Sequence, residues 1–181
     1  MKKTFIIIII MFNFFNKASA NYTKLAHNFE FKSIDGQSIK ISDYKEKVIV
    51  VVNVASRCGF TKQYDDLQKL WVNYKNNDLI VIGVPTNDFK QEPASNKDIK
   101  DFCETNFNID FLLTEKTNVL GKNAHPFYKW AKENHGNGAI PKWNFHKIII
   151  GKDGKVADTF ASITNPSSKK FINFIEEQIK N

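Results

Sequence analysis

The sequence predicts an α/β sandwich, a central mixed β-sheet flanked by helices. Three stretches carry that prediction. Val48–Val54 reads VIVVVNV, a β-branched apolar run suited to a strand buried on both faces. A helical pattern from Thr61 to Tyr74 leads to a second apolar strand, Leu79–Val84, and strand–helix–strand with short connections implies a right-handed crossover and parallel pairing. Trp143–Ile150 and Val156–Phe160, turned by Asp153-Gly154, read as an antiparallel hairpin, which makes the sheet mixed. A chain of 181 residues gives one domain with room for a real core.

In chain order, residues 1–20 read as a signal peptide. Lys2 and Lys3 form the charged start, the apolar run Phe5–Phe15 is short for a membrane span, and Ala18-Ser19-Ala20 offers small-residue cleavage. The domain is therefore expected over 21–181, exported to a bacterial periplasm, with an uncleaved N-terminal anchor as the alternative. No later segment has the length and apolarity for stable membrane insertion. Phe29 and Phe31, then Ile39 and Ile41, alternate with polar residues around Asp35-Gly36, a hairpin pattern. Tyr64, Leu67, Leu70, Trp71 and Tyr74 recur at helical spacing, and Asn76-Asn77-Asp78 ends that helix.

Pro85 closes the second strand, and Thr86–Pro93 is a polar loop at its C-terminal end, where ligand groups gather in open α/β sheets. Ser95 and Asp98 form a capping box for a helix through Phe107, with Ile99, Phe102 and Cys103 on one face. Residues 108–123 carry no clear period. A further helix is expected over 123–134, a loop over Gly136–Pro141, and a last helix from Pro166 with Phe171, Phe174, Ile175 and Ile179 on its buried face. Hairpin, βαβ unit, helix, antiparallel hairpin and closing helix together describe a thioredoxin-like sandwich.

Composition narrows the function. Without Lys2, Lys3 and Lys17 of the leader the net charge falls from +7 to +4, and the remaining lysines are scattered. Nucleic-acid binding would need a concentrated basic face, so no nucleic-acid partner is expected. Two cysteines, Cys58 and Cys103, form no CxxC pair, and His27, His125, His135 and His146 share no spacing. No metal site and no cofactor follows from them.

Cys58 is the residue that points to chemistry. It stands where the central strand hands over to a helix, with Gly59 allowing a turn. Unpaired amides and the positive end of the helix dipole favour an ionised sulfur at such a place. A lone cysteine beside a core strand is, however, equally well a small buried hydrophobe.

NVASRCGFT at 53–61, QYDDL at 63–67, NDFKQEP at 87–93 and KWNF at 142–145 resemble the glutathione peroxidase family, and the resemblance runs in order from about Phe29 to the C-terminus. It implies reduction of hydrogen peroxide or organic and lipid hydroperoxides by a peroxidatic cysteine, Cys58. It also implies Trp143 and Asn144 as site residues, and their indole N–H and carboxamide are donors suited to a developing oxyanion. The family's remaining polar member is a Gln in an Asn-Gln-Phe loop; here Asp88 holds that place and the loop is one residue shorter before Gln91. Asp88 is expected there as a neutral or paired hydrogen-bonding group, since a free carboxylate would disfavour the thiolate.

Phe102-Cys103 matches the context of a resolving cysteine in the family's thioredoxin-dependent members, whereas Thr86 replaces another cysteine common in the family. The resemblance thus favours a thioredoxin-like protein over glutathione as reductant. The short Gly136–Pro141 segment, against extra loop sequence in tetrameric animal forms, implies a monomer. Two other classes compete. A thiol–disulfide oxidoreductase would keep a second cysteine three positions after Cys58, where Thr61 stands, and a metal-binding module on this fold would need a CxxxC with a distant His.

Overall fold

The computed structural model describes residues 22–181, so the leader reading lies outside the described residues. Five strands form one sheet: β3 (Val48–Val54), β4 (Leu79–Pro85), β5 (Leu112–Leu113), β6 (Lys147–Ile150) and β7 (Val156–Phe160), after a separate hairpin of β1 (Glu30–Lys32) and β2 (Ser38–Lys40). The order is β5-β4-β3-β6-β7, with β3 parallel to β4 and antiparallel to β6. The sheet is mixed, as the sequence predicts. All seven residues of β3 are buried, because helices cover both faces of this central strand.

Alternation along β3 sorts its side chains between two cores. Val50, Val52 and Val54 face α1 (Gln63–Tyr74), α2 (Asn96–Phe107) and α4 (Lys169–Lys180), meeting Leu67, Ile99, Phe171 and Ile175. Ile49 and Val51 face α3 (Pro126–His135) and the hairpin, meeting Phe127, Trp130, Phe31 and Ile39. Each fully buried Val, Ile or Phe contributes roughly 1.5–3 kcal/mol, so the two layers hold the strand from both sides.

The structure moves several boundaries. β6 begins at Lys147, four residues later than expected from Trp143, because Phe145 sits at φ +65 and breaks the extended chain into a corner. α4 begins at Lys169 with the Ser168 hydroxyl accepting from the Phe171 N–H, so Pro166 lies ahead of the helix. α3 begins at Pro126 with His125 as its cap. The two-residue β5 lies in the stretch without a readable period. It approaches β4 closely at Gly83, where an added Cβ would lie 2.7 Å from Leu113 Cδ2. No helix among the described residues is long and apolar enough to cross a membrane.

Candidate active site

Between the end of β3 and the start of α1 the chain makes a tight turn, and Thr61 organises it. Its Oγ1 accepts the Cys58 N–H at 3.0 Å and lies 2.7 Å from the Cys58 carbonyl and 3.0 Å from that of Ala55. The Thr61 N–H also donates to the Cys58 carbonyl. These bonds fix the backbone on both sides of the sulfur. Cys58 is 8 % exposed. α1 starts only at Gln63, so the sulfur stands ahead of the helix, and the amide that meets it belongs to the turn: Phe60 N–H donates to Sγ at 3.4 Å.

The loop after β4 closes over this turn. Glu92 is fully buried, and its Oε2 accepts the N–H and the hydroxyl of Ser56, each at 2.7 Å. The Gln91 carbonyl accepts the Arg57 N–H at 3.1 Å. The corner before β6 arrives from the other side. Asn53 of β3 donates to the Trp143 carbonyl at 3.1 Å, and its own carbonyl accepts the Phe145 N–H at 2.6 Å. Trp143 is 40 % exposed and packs against Phe89 of the loop, with ring centroids 5.4 Å apart. Asn144 is fully buried and donates from Nδ2 to Gln91 Oε1 at 2.9 Å. The Cys58 turn, the 86–92 loop and the Trp143–Asn144 corner are thus joined by hydrogen bonds.

Asp88 is the exception among the expected residues. Its Oδ2 accepts the N–H groups of Val119 and Leu120 at 2.6 and 2.9 Å, so the carboxylate secures the turn before α3. It is paired, but with backbone amides and not within a constellation at the sulfur. Two residues on, Lys90 takes a left-handed conformation, φ +61, and Gln91 is the loop side chain that reaches Asn144. The shortened loop carried a signal for this exchange, but nothing in the sequence said which way Asp88 would turn.

Cys103 lies on the buried face of α2, fully enclosed with Ile99, Tyr64 and Leu67. Burial pushes its thiol up to about 11; the Tyr64 hydroxyl beside it opposes that, and the Glu92 and Glu104 charges add to it. Cys58 and Cys103 are both free thiols. Lys147 is a further buried polar group that the sequence reading did not single out. Its Nζ donates to Gln63 Oε1 at 2.5 Å and to the Thr164 carbonyl at 2.6 Å, tying the first residue of α1 to the segment before α4. Burial brings its ammonium down to about 7. Its only sequence signal was a lysine opening an otherwise apolar strand. No group of three or more His, Cys, Asp or Glu among the described residues is arranged to hold a metal ion.

Comparisons with known proteins identify the family. The family model for glutathione peroxidase matches residues 26–132. A glutathione peroxidase of Lactococcus lactis subsp. cremoris is 40 % identical over 158 residues, covering 85 % of this chain and 96 % of the relative. The chain belongs to the glutathione peroxidase family. It is a peroxidase that reduces hydroperoxides. The hydroperoxy fatty acid reductase of Synechocystis is 39 % identical, covering 82 % of this chain and 92 % of its own. The crystal structure of Trgpx in apo form superposes with a TM-score of 0.70 at 36 % identity, covering 88 % of this chain and 98 % of that one. A thiol:disulfide interchange protein of the thioredoxin family from Chlorobium tepidum, at 13 % identity and TM-score 0.63 over 83 % of this chain and 92 % of its own, shows the shared fold alone.

Proposed function

We propose that this thiol peroxidase works through Cys58 as the attacking sulfur and Cys103 as the resolving one. The observation that carries the reading is the Cys58 turn, its sulfur buried, bonded through the 86–92 loop to the corner bearing Trp143 and Asn144. The Cys58 thiolate attacks the distal oxygen of a hydroperoxide. The O–O bond breaks, the sulfur becomes a sulfenic acid, and the alkoxide takes a proton and leaves as an alcohol, or as water from hydrogen peroxide. Donors such as the Trp143 indole N–H and the Asn144 carboxamide would stabilise the charge that develops on the leaving oxygen.

In the second step the Cys103 sulfur, after losing its proton, attacks Cys58. An S–S bond forms and the sulfenic oxygen leaves as water. A dithiol protein of the thioredoxin type then reduces the disulfide, and a buried second cysteine supports it over glutathione as donor. The name of the Synechocystis relative favours a fatty acid hydroperoxide among the possible substrates. The short Gly136–Pro141 segment supports a monomer, and the leader supports export, with a mature N-terminus expected at Asn21 by N-terminal sequencing.

Turnover of purified protein tests the assignment. Cys58→Ser should abolish peroxide consumption, because a hydroxyl is a far poorer nucleophile at neutral pH. Cys103→Ser should consume one equivalent and fail to cycle with thioredoxin. Cys58→Ser activity above about a tenth of wild type would reject the attacking role, on the ground that covalent catalysis is lost with its nucleophile.

A further inference from the structure

We propose that Gln91 is a positioning residue for peroxide reduction, holding the Asn144 carboxamide in register with the Cys58 turn. The proposal rests on the reading of Cys58 as the attacking sulfur and of Asn144 as a donor beside it. Gln91 makes both connections itself: its carbonyl accepts the Arg57 N–H at 3.1 Å, one residue before Cys58, and its Oε1 accepts from Asn144 Nδ2 at 2.9 Å. Gln91 therefore links the turn to the corner directly, beside the two bonds by which Asn53 of β3 holds the same corner.

Chemistry explains why the orientation matters. A carboxamide has a donor end and an acceptor end, and rotation about its last bond exchanges them. Asn144 is fully buried and its Oδ1 has no hydrogen-bond partner, so the Gln91 oxygen is what selects the direction in which the amino group points. The acceptor that Gln91 offers is also uncharged. A carboxylate in its place would put negative charge beside a thiolate and a departing alkoxide.

The loop is built so that position 91, and not 88, supplies that neutral acceptor. Asp88 is engaged with the Val119 and Leu120 amides. Lys90, at φ +61, reverses the chain between Phe89 and Gln91. Glu92 then anchors the far side through Ser56, its own N–H donating to Asn87 Oδ1 at 3.1 Å. Gln91 is held on both flanks, and its side chain has little choice of direction.

A double-mutant cycle tests the role. The reduced protein is mixed with hydrogen peroxide in a single turnover, and the rate constant for loss of the Cys58 thiol is read for wild type, Gln91→Met, Asn144→Ala and the pair. Gln91→Met keeps length and removes the acceptor, and should slow oxidation about tenfold, the scale of one lost buried hydrogen bond. The pair should react within about twofold of Asn144→Ala alone, because residues that act through one another are not additive. If Gln91→Met melts below the assay temperature, Gln91→Asn, which keeps the amide but falls short by a methylene, is read by the same criteria. A wild-type rate for the Gln91 variant, or slowdowns that multiply in the pair, overturns the proposal. Peroxide consumption by Cys58→Ser would overturn the underlying reading as well; an inert Cys58→Ser with multiplying slowdowns overturns the Gln91 role alone.

Discussion

The Cys58 turn is held in place by its neighbours. Thr61 fixes its backbone, Phe60 gives its amide to the sulfur, and Glu92 and Gln91 hold the turn from the loop side. Other buried groups at this end of the sheet carry a pH signature. His146 is buried before β6 and is brought down to about 4, first by its burial and then by the Lys147 and Lys142 charges. The folded state therefore keeps it neutral between about 4 and 6.5, while the unfolded chain binds a proton there. Stability must fall as pH drops through that window, since the unfolded state takes up more protons. Lys147, lowered from 10.5 to about 7, extends the same sign upward: its contribution rises with pH above about 7. Urea titrations from pH 4 to 8 should show this slope, and His146→Gln should flatten it between about 4 and 6.5. An unchanged slope in the variant would assign the acid sensitivity to other groups.

Among the elements, α2 is the one the proposed cycle must disturb. Its buried residues are Ile99 and Cys103, whereas α1 buries Gln63, Tyr64, Leu67 and Leu70. On the proposed cycle, the buried Cys103 would reach a Cys58 sulfenic acid through local opening of this helix. Phe102 and Phe107 also pack against the core, but only Ile99 and Cys103 are buried, and local opening costs least where few side chains are buried. Its N-terminus is held by the capping box in which the Ser95 hydroxyl accepts the Asp98 N–H and Asp98 Oδ2 accepts from Ser95. Ser95→Ala should destabilise α2 by about 0.5–2 kcal/mol. It should accordingly quicken disulfide formation after peroxide addition while leaving the first oxidation step alone. Stopped-flow fluorescence separates the two phases, and a slower second phase in Ser95→Ala would contradict release by local opening.

For the molecule as a whole, the sheet was legible because β3 and β4 are fully buried and, Asn53 apart, apolar, and the connections between elements are short. Legibility failed where tertiary contacts overrode the local pattern. β5 is two residues long and depends on the absence of a side chain at Gly83. Trp143 looked like the start of a strand, and the left-handed Phe145 made it a corner. In the candidate site, Cys58, Trp143, Asn144 and Cys103 stood out by motif, and three of them lie on the segments the hydrogen bonds join. Asp88 is paired, as expected, but with the Val119 and Leu120 amides, which residue type alone could not say, and Gln91 was hidden because its bond to Asn144 spans 53 positions. A thiol count after peroxide addition decides whether the proposed peroxidase cycle uses both thiols. Reduced wild-type protein given one equivalent of hydrogen peroxide should lose two free thiols and, by mass spectrometry after proteolysis, yield a single peptide pair linked Cys58 to Cys103. Loss of one thiol only, with Cys103 still free and Cys58 carried on to sulfinic acid, would contradict it.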